Sequence, residues 1–352
     1  MIPADDNPIT QLPIVPRAVL AKHRVLEEFD TRFRSCARLL QSLWRQRQQL
    51  PIGSFLSNSG RRRTIGSLIS TAAGHEGRNF LTPEIAEVAR LETAYQEPGA
   101  LIDRTRLLCN LLSSMPLAFN AFAVLRRDRN LAARVLRAII PGLDLKFVHD
   151  VLWEHSPGRR DATLTGDRSA FDVAFVYERG DGKRGLIAIE VKYTETGTEP
   201  APPELNPRYA DLAHSSGLFK HPDHAALRVN PLQQLFREHL LAQAAVMRGD
   251  YAEATFVLIA PRLNHLVQNS ASLYAAFLNQ PIEGQVPFVN VHLEQLIEAY
   301  GWAGAHDHAL ALHERYLDWS RVDEVVRAAV KAKAPTWAAP ATPTRTAKAK
   351  AA

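Results

Sequence analysis

Cysteine is almost missing: Cys36 and Cys109 are the two in 352 residues. Two thiols cannot build a disulfide framework or a cysteine zinc site, and both are expected as reduced side chains packed in helices. No stretch approaches 18 consecutive apolar residues, so no membrane span is expected. The opening residues, MIPADDNPITQLPIVPRAVL, carry Pro and Asp where a secretory signal needs a basic and then an apolar run, so a soluble cytoplasmic protein is expected. A Gly-rich phosphate loop is absent, which leaves nucleotide hydrolysis unsupported. His214, His221 and His224 fall in one segment. Yet no His-x3-His lies on a helix with a nearby acid, as the helical zinc-protease motif requires.

Charge outside the C-terminal tail is nearly balanced. The formal net charge is +5, and Lys331, Lys333, Arg345, Lys348 and Lys350 supply it after residue 327, with no acid among them. A second bias lies near the start. Residues 17–63 hold eleven Lys and Arg, Arg61, Arg62 and Arg63 among them, against only Glu27, Glu28 and Asp30, a local excess of eight. Such segments favour polyanions, although a solvated helix face has the same composition.

What is present in quantity is pattern. Residues 1–16 carry four prolines and are expected to be disordered. Residues 17–75 read as a basic helical extension, with one long helix over 18–50 and an irregular Gly/Ser/Arg-rich stretch over 51–82. Pro83 after Thr82 starts another helix, and helical stretches at 100–115 and 116–140 follow. Val-, Ile- and Phe-rich strands are predicted at 147–154, 171–177, 186–193, 255–260 and 286–291. Helices are predicted at 231–247, 265–279 and 292–300, with 196–228 irregular. Residues 76–300 therefore read as one α/β domain with a mixed central sheet flanked by helices. Residues 301–333 read as a C-terminal helical segment, and 334–352 as a disordered basic tail.

Within FDVAFVYERGDGKRGLIAIEVKYTE (171–195), Asp172, Glu190 and Lys192 interrupt two otherwise apolar strands. Side chains alternate between faces of a strand. An antiparallel pairing centred on Asp181 sets Asp172 opposite Glu190 and Ala174 opposite Ala188, and it places Phe171, Val173 and Phe175 against Val191, Ile189 and Ile187 on a wholly apolar face. Opposed like charges destabilise a sheet, and conflicts of this kind mark functional sites. A hard divalent cation would resolve the conflict, and Lys192 on the same face could serve a water or a phosphate. The Asp181-Gly182 dipeptide, however, is the usual signal for a two-residue turn, which would pair Asp172 with Val191 and separate the carboxylates. The metal-binding parity requires an odd loop or a bulge instead.

Asp172 followed by Glu190-Val191-Lys192 on the next strand, then a helix and a further strand, resembles the PD-(D/E)XK nuclease superfamily. NLLSSMPLAFNAF (110–122), EHSPGRRD (154–161), IEVKYTE (189–195) and PLQQLFREHLLA (231–242) are similar to a bacterial subgroup of restriction-endonuclease-like proteins. Phe171 stands where the superfamily name places proline. The resemblance implies a restriction-endonuclease-like core that hydrolyses DNA phosphodiesters. Asp172 and Glu190 would hold Mg²⁺ (or Mn²⁺), with Lys192 positioning water or phosphate. A third acid is expected: Glu154 first, Glu76 less so, while Asp128 lies between arginines and reads as solvated. Gln233, Gln234 and Arg237 resemble site-facing positions, and Arg61, Arg62 and Arg63 are candidates for binding the substrate backbone. RNA as substrate and a homodimeric state stay open. So does the rival reading, a catalytically inactive nucleic-acid-binding module on the same fold.

Overall fold

A computed structural model describes residues 10–57, 60–197 and 206–333. The chain opens with α1 (Arg17–Lys22) and α2 (Arg32–Arg47), then an antiparallel hairpin of β1 (Ile52–Leu56) and β2 (Arg62–Ile69). Five helices follow: α3 (Thr71–His75), α4 (Pro83–Ala94), α5 (Arg104–Cys109), α6 (Ser114–Arg127) and α7 (Arg129–Ile139). The central sheet is then built from β3 (Phe147–His155), β4 (Phe171–Glu178) and β5 (Arg184–Val191) as an antiparallel meander. After α8 (Arg208–Ser216) and α9 (Gln233–Arg248) the chain adds β6 (Glu253–Ala260), parallel to β5. Helix α10 (His265–Phe277) leads to β7 (Phe288–His292), parallel to β6. Helices α11 (Leu293–Trp302), α12 (His306–Tyr316) and α13 (Trp319–Lys333) end the described chain. The strand order is β3-β4-β5-β6-β7, the mixed helix-flanked sheet expected from the sequence.

Several local expectations are corrected. The predicted long helix over 18–50 is broken between α1 and α2. Arg24 adopts a positive φ of 56°, and Thr31 starts α2 afresh by accepting the Arg34 N–H at 3.1 Å. Phe29 lies in this break and is 98% exposed. The stretch expected to be irregular contains the β1–β2 hairpin, and α8 forms within the segment left irregular at 196–228. Asp128 divides the predicted 116–140 helix by capping α7, where its Oδ1 accepts the Leu131 N–H at 2.8 Å. Residues 10–16 are not loose: Leu12 and Val15 are buried in the main core. The remainder of the 1–16 segment and residues 334–352 of the tail lie outside the described residues.

The sheet separates two apolar layers. On one side Val173, Phe175, Ile187, Ile189 and Val191 pack with α2, α4, α6, α7 and the C-terminal helices. On the other, Ala174, Val176, Leu186 and Ala188 pack with α8, α9 and α10. Phe171 joins this second layer, not the Val173 face on which strict alternation put it. The N- and C-terminal segments share the first core. Arg315, fully buried on α12, lies over the Trp44 ring at 4.2 Å and donates to the Asn79 carbonyl at 2.6 Å. A buried guanidinium needs such ring and carbonyl partners to offset desolvation.

Candidate active site

The β4–β5 ladder pairs Val173 with Ile189, Ala174 with Ala188 and Phe175 with Ile187. Continued by one step, this register sets Asp172 opposite Glu190, the parity expected for a shared face. The turn explains why the Asp-Gly signal did not shift it. Arg179 N–H donates to the Lys183 carbonyl at 2.9 Å, and Gly182 N–H donates to the Arg179 carbonyl at 3.0 Å. That closes a three-residue loop over 180–182 with Gly182 at φ 81°, the left-handed position such a loop requires.

The ladder itself stops at Val173↔Ile189. Beyond it the Asp172 carboxylate takes over the strand's role, with Oδ2 accepting the Val191 N–H at 2.8 Å. On the other side of β4, β3 pairs Trp153 with Val173 and His155 with Phe171, so Glu154 stands across from Asp172. Glu154, Asp172 and Glu190 thus form a row across three neighbouring strands. Glu154 has a φ of 49°. A non-glycine residue in the left-handed region costs about 1 kcal/mol or more, and strain of this kind collects at functional sites. Arg159 holds the distortion by donating from its guanidinium to the Glu154 carbonyl.

Helix α9 completes the site from above the sheet. Lys192 Nζ lies 2.8 Å from Glu190 Oε1 and donates to Gln234 Oε1 at 2.7 Å. Gln234 Nε2 donates to Glu190 Oε1 at 2.8 Å and to Glu238 Oε1 at 2.9 Å. Both N–H groups of the Gln234 amide and one lone pair of its oxygen are therefore engaged by charged neighbours. Glu190 and Lys192 are buried, as is Glu238. A cavity of about 20 Å³ adjoins Lys192 and Gln234, room for roughly one water.

Negative charge exceeds positive charge here, and the protonation equilibria show it. Burial, then the Glu190 charge, lifts the Glu154 carboxyl to about 7. Burial, then Glu190 and Glu154, pushes Asp172 well above the ordinary carboxylate range. Glu238 is raised for the same reasons, burial first and Glu190 next. Burial by itself would lower Lys192, but Glu190, Asp172, Glu195 and Glu238 together hold its ammonium firmly charged. Glu195 goes the other way. Burial opposes its charge, but Lys192 and the N–H groups of Ser114 (2.9 Å) and Tyr193 (2.8 Å) keep it ionised.

Gln233 is buried beside Gln234 and lines the same small cavity, whereas the other sequence candidates lie apart from this network. Arg237 turns away from Glu190 and braces α9 against the loop before β4, donating to Ser169 Oγ at 3.0 Å and to Gln233 Oε1 at 2.9 Å. Glu76 is exposed at the end of α3. Arg61, Arg62 and Arg63 are exposed on the β1–β2 hairpin. Sequence reasoning missed Glu238 and Glu195. Glu238 follows Gln234 by four residues, the spacing that shares a helix face, and that was the available signal. Glu195 had none, since its role depends on the α6 N-terminus reaching the end of β5.

Among the described residues no group of three or more His, Cys, Asp or Glu side chains converges closely enough to hold a metal as it stands. The donor chemistry nevertheless suits Mg²⁺, which takes carboxylate oxygens from one or two residues and keeps several waters. Glu238 Oε2 is buried without a hydrogen-bond partner, and the surplus of carboxyls over Lys192 is the imbalance that a cation offsets. The model of the PD-(D/E)XK nuclease superfamily matches residues 28–318, most of the chain. No curated protein and no solved structure matches it.

Proposed function

The chain belongs to the PD-(D/E)XK nuclease superfamily, and we propose that it is a divalent-metal-dependent nuclease acting on DNA. The observation that carries this reading is the row of Glu154, Asp172 and Glu190 with the Lys192 ammonium against it. Asp172 and Glu190 would hold Mg²⁺ or Mn²⁺, with Glu154 the third acid. A bound ion supplies charge stabilisation on the phosphoryl oxygens.

The other contributions come from the chain itself. Lys192 keeps its proton and offers a fixed positive charge where negative charge develops on the phosphate. Gln234 sets the direction of that ammonium by accepting from Nζ and donating to Glu190. Glu190 is held by two donors and so presents its remaining oxygen lone pairs without rearrangement. The Val191 N–H fixes Asp172 in the same way.

The presence of a third acid beside Asp172 favours catalysis over the binding-module alternative. Titration of metal-free protein with Mn²⁺, followed by calorimetry, tests the reading. The expected result is one binding event per chain, lost in Asp172→Asn. Equal Mn²⁺ binding by the variant would remove the site from Asp172.

A further inference from the structure

Beside the acidic row lies a cleft of about 620 Å³ between α2, the β1–β2 hairpin and α5. Arg34, Arg38, Arg62 and Arg106 stand in its wall against Glu27 and Asp103. Both acids are already engaged: Glu27 with Arg63 at 3.1 Å, and Asp103 as the cap of α5. Arg34 and Arg38 share Asp30. Arg62 donates to Ser54 Oγ at 2.9 Å and has no carboxylate within ion-pair distance among the described residues. The wall is also apolar in part. Phe55 is half-buried, and Leu56 is 66% exposed at the hairpin end, where packing gives it no role.

The cleft's wall touches the segment that follows β5. Arg34 donates to the Thr194 carbonyl at 3.3 Å, and Arg106 lies 3.6 Å from Glu195, the residues just beyond Lys192. Guanidinium groups match phosphate geometry, and an aromatic or apolar wall accepts the face of any base. The volume lies within the about 300–1,000 Å³ of ligand-sized pockets, suited to unstacked nucleotides rather than to a double helix.

We propose that this cleft binds unpaired nucleotides of single-stranded DNA, stacking bases on Phe55 and Leu56 and holding phosphates on Arg62, and that it leads the strand to the Glu190 face. This rests on the nuclease reading for its direction, though not for binding. The test compares the wild-type chain with a Leu56→Ser/Arg62→Ala double variant, whose changes are exposed and whose thermal melt checks the fold. Anisotropy of a labelled 12-nucleotide oligothymidylate and of a 12-base-pair duplex is measured in EDTA. Wild type binds the single strand about tenfold more tightly than the duplex, and the variant loses about tenfold on the single strand alone. Equal single-strand binding by both proteins, or no strand preference in wild type, overturns the cleft. If that happens while wild type still cleaves DNA with Mg²⁺, the nuclease reading stands without it. Single-strand binding that the variant loses, without cleavage in Mg²⁺ or Mn²⁺, keeps the cleft and removes the nuclease reading.

Discussion

Glu154 makes the acidic row measurable without any assay of cleavage. In the unfolded chain its carboxyl titrates near the ordinary 4.5, and in the fold near 7. Below the lower value it is protonated in both states and affects stability little. Between the two values the unfolded chain ionises while the fold keeps the proton, so stability falls as pH rises, and the loss is complete once the buried carboxyl beside Glu190 ionises near 7. A difference of about 2.5 pKa units corresponds to about 3 kcal/mol. The side chain is partly exposed, and screening brings this to on the order of 2 kcal/mol. Glu154→Gln removes the titration and keeps the shape. Urea unfolding in EDTA should show wild type losing about 2 kcal/mol more than the variant between pH 5 and pH 8. Mg²⁺ at pH 8 should recover much of that loss in wild type, since a ligand of the folded state alone stabilises it. Asp172 and Glu238 shift in the same direction, so the difference between the two proteins, not the wild-type slope, carries the test. Parallel pH profiles would refute the electrostatic account of the row.

Three other outcomes follow. Lys192→Met abolishes cleavage and also destabilises by about 3 kcal/mol, because Glu190 is left buried and unpaired; adding Glu190→Gln restores the melting temperature without activity. Glu238→Gln retains the bond to Gln234 and removes a buried acid, so metal-free protein gains on the order of 1 kcal/mol at pH 8 in urea unfolding, whereas Glu238→Leu leaves a Gln234 amide hydrogen unpaired and loses about 1–3 kcal/mol. Truncation after Val330 removes five basic residues, so duplex binding weakens at low salt and the slope against log salt falls by up to about 4; an unchanged slope excludes the tail from phosphate contact.

The sheet was legible because its strands are apolar and short, and the Asp172–Glu190 register followed from demanding one apolar face. That demand proved stronger than the Asp181-Gly182 turn signal, which a three-residue loop satisfies equally well. Phe171 escaped the same logic: the β4–β5 ladder ends before it, and its remaining partner is His155 on β3, next to Glu154 in the left-handed region. The β1–β2 hairpin was hidden because its burial comes from outside. A Cβ at Gly66 would meet the His23 carbonyl and Ser42 Oγ, contacts that no local pattern announces.

The most direct measurement of the central claim is cleavage by the purified full chain. Supercoiled plasmid and circular single-stranded DNA are each incubated with wild type and Asp172→Asn, with Mg²⁺, with Mn²⁺ and with EDTA. Wild type should open both circles only when a divalent ion is present, and the variant should be slower by at least about a hundredfold. Cleavage that persists in EDTA, equal cleavage by Asp172→Asn, or intact circles under every condition would contradict a metal-dependent nuclease built on Asp172, Glu190 and Lys192.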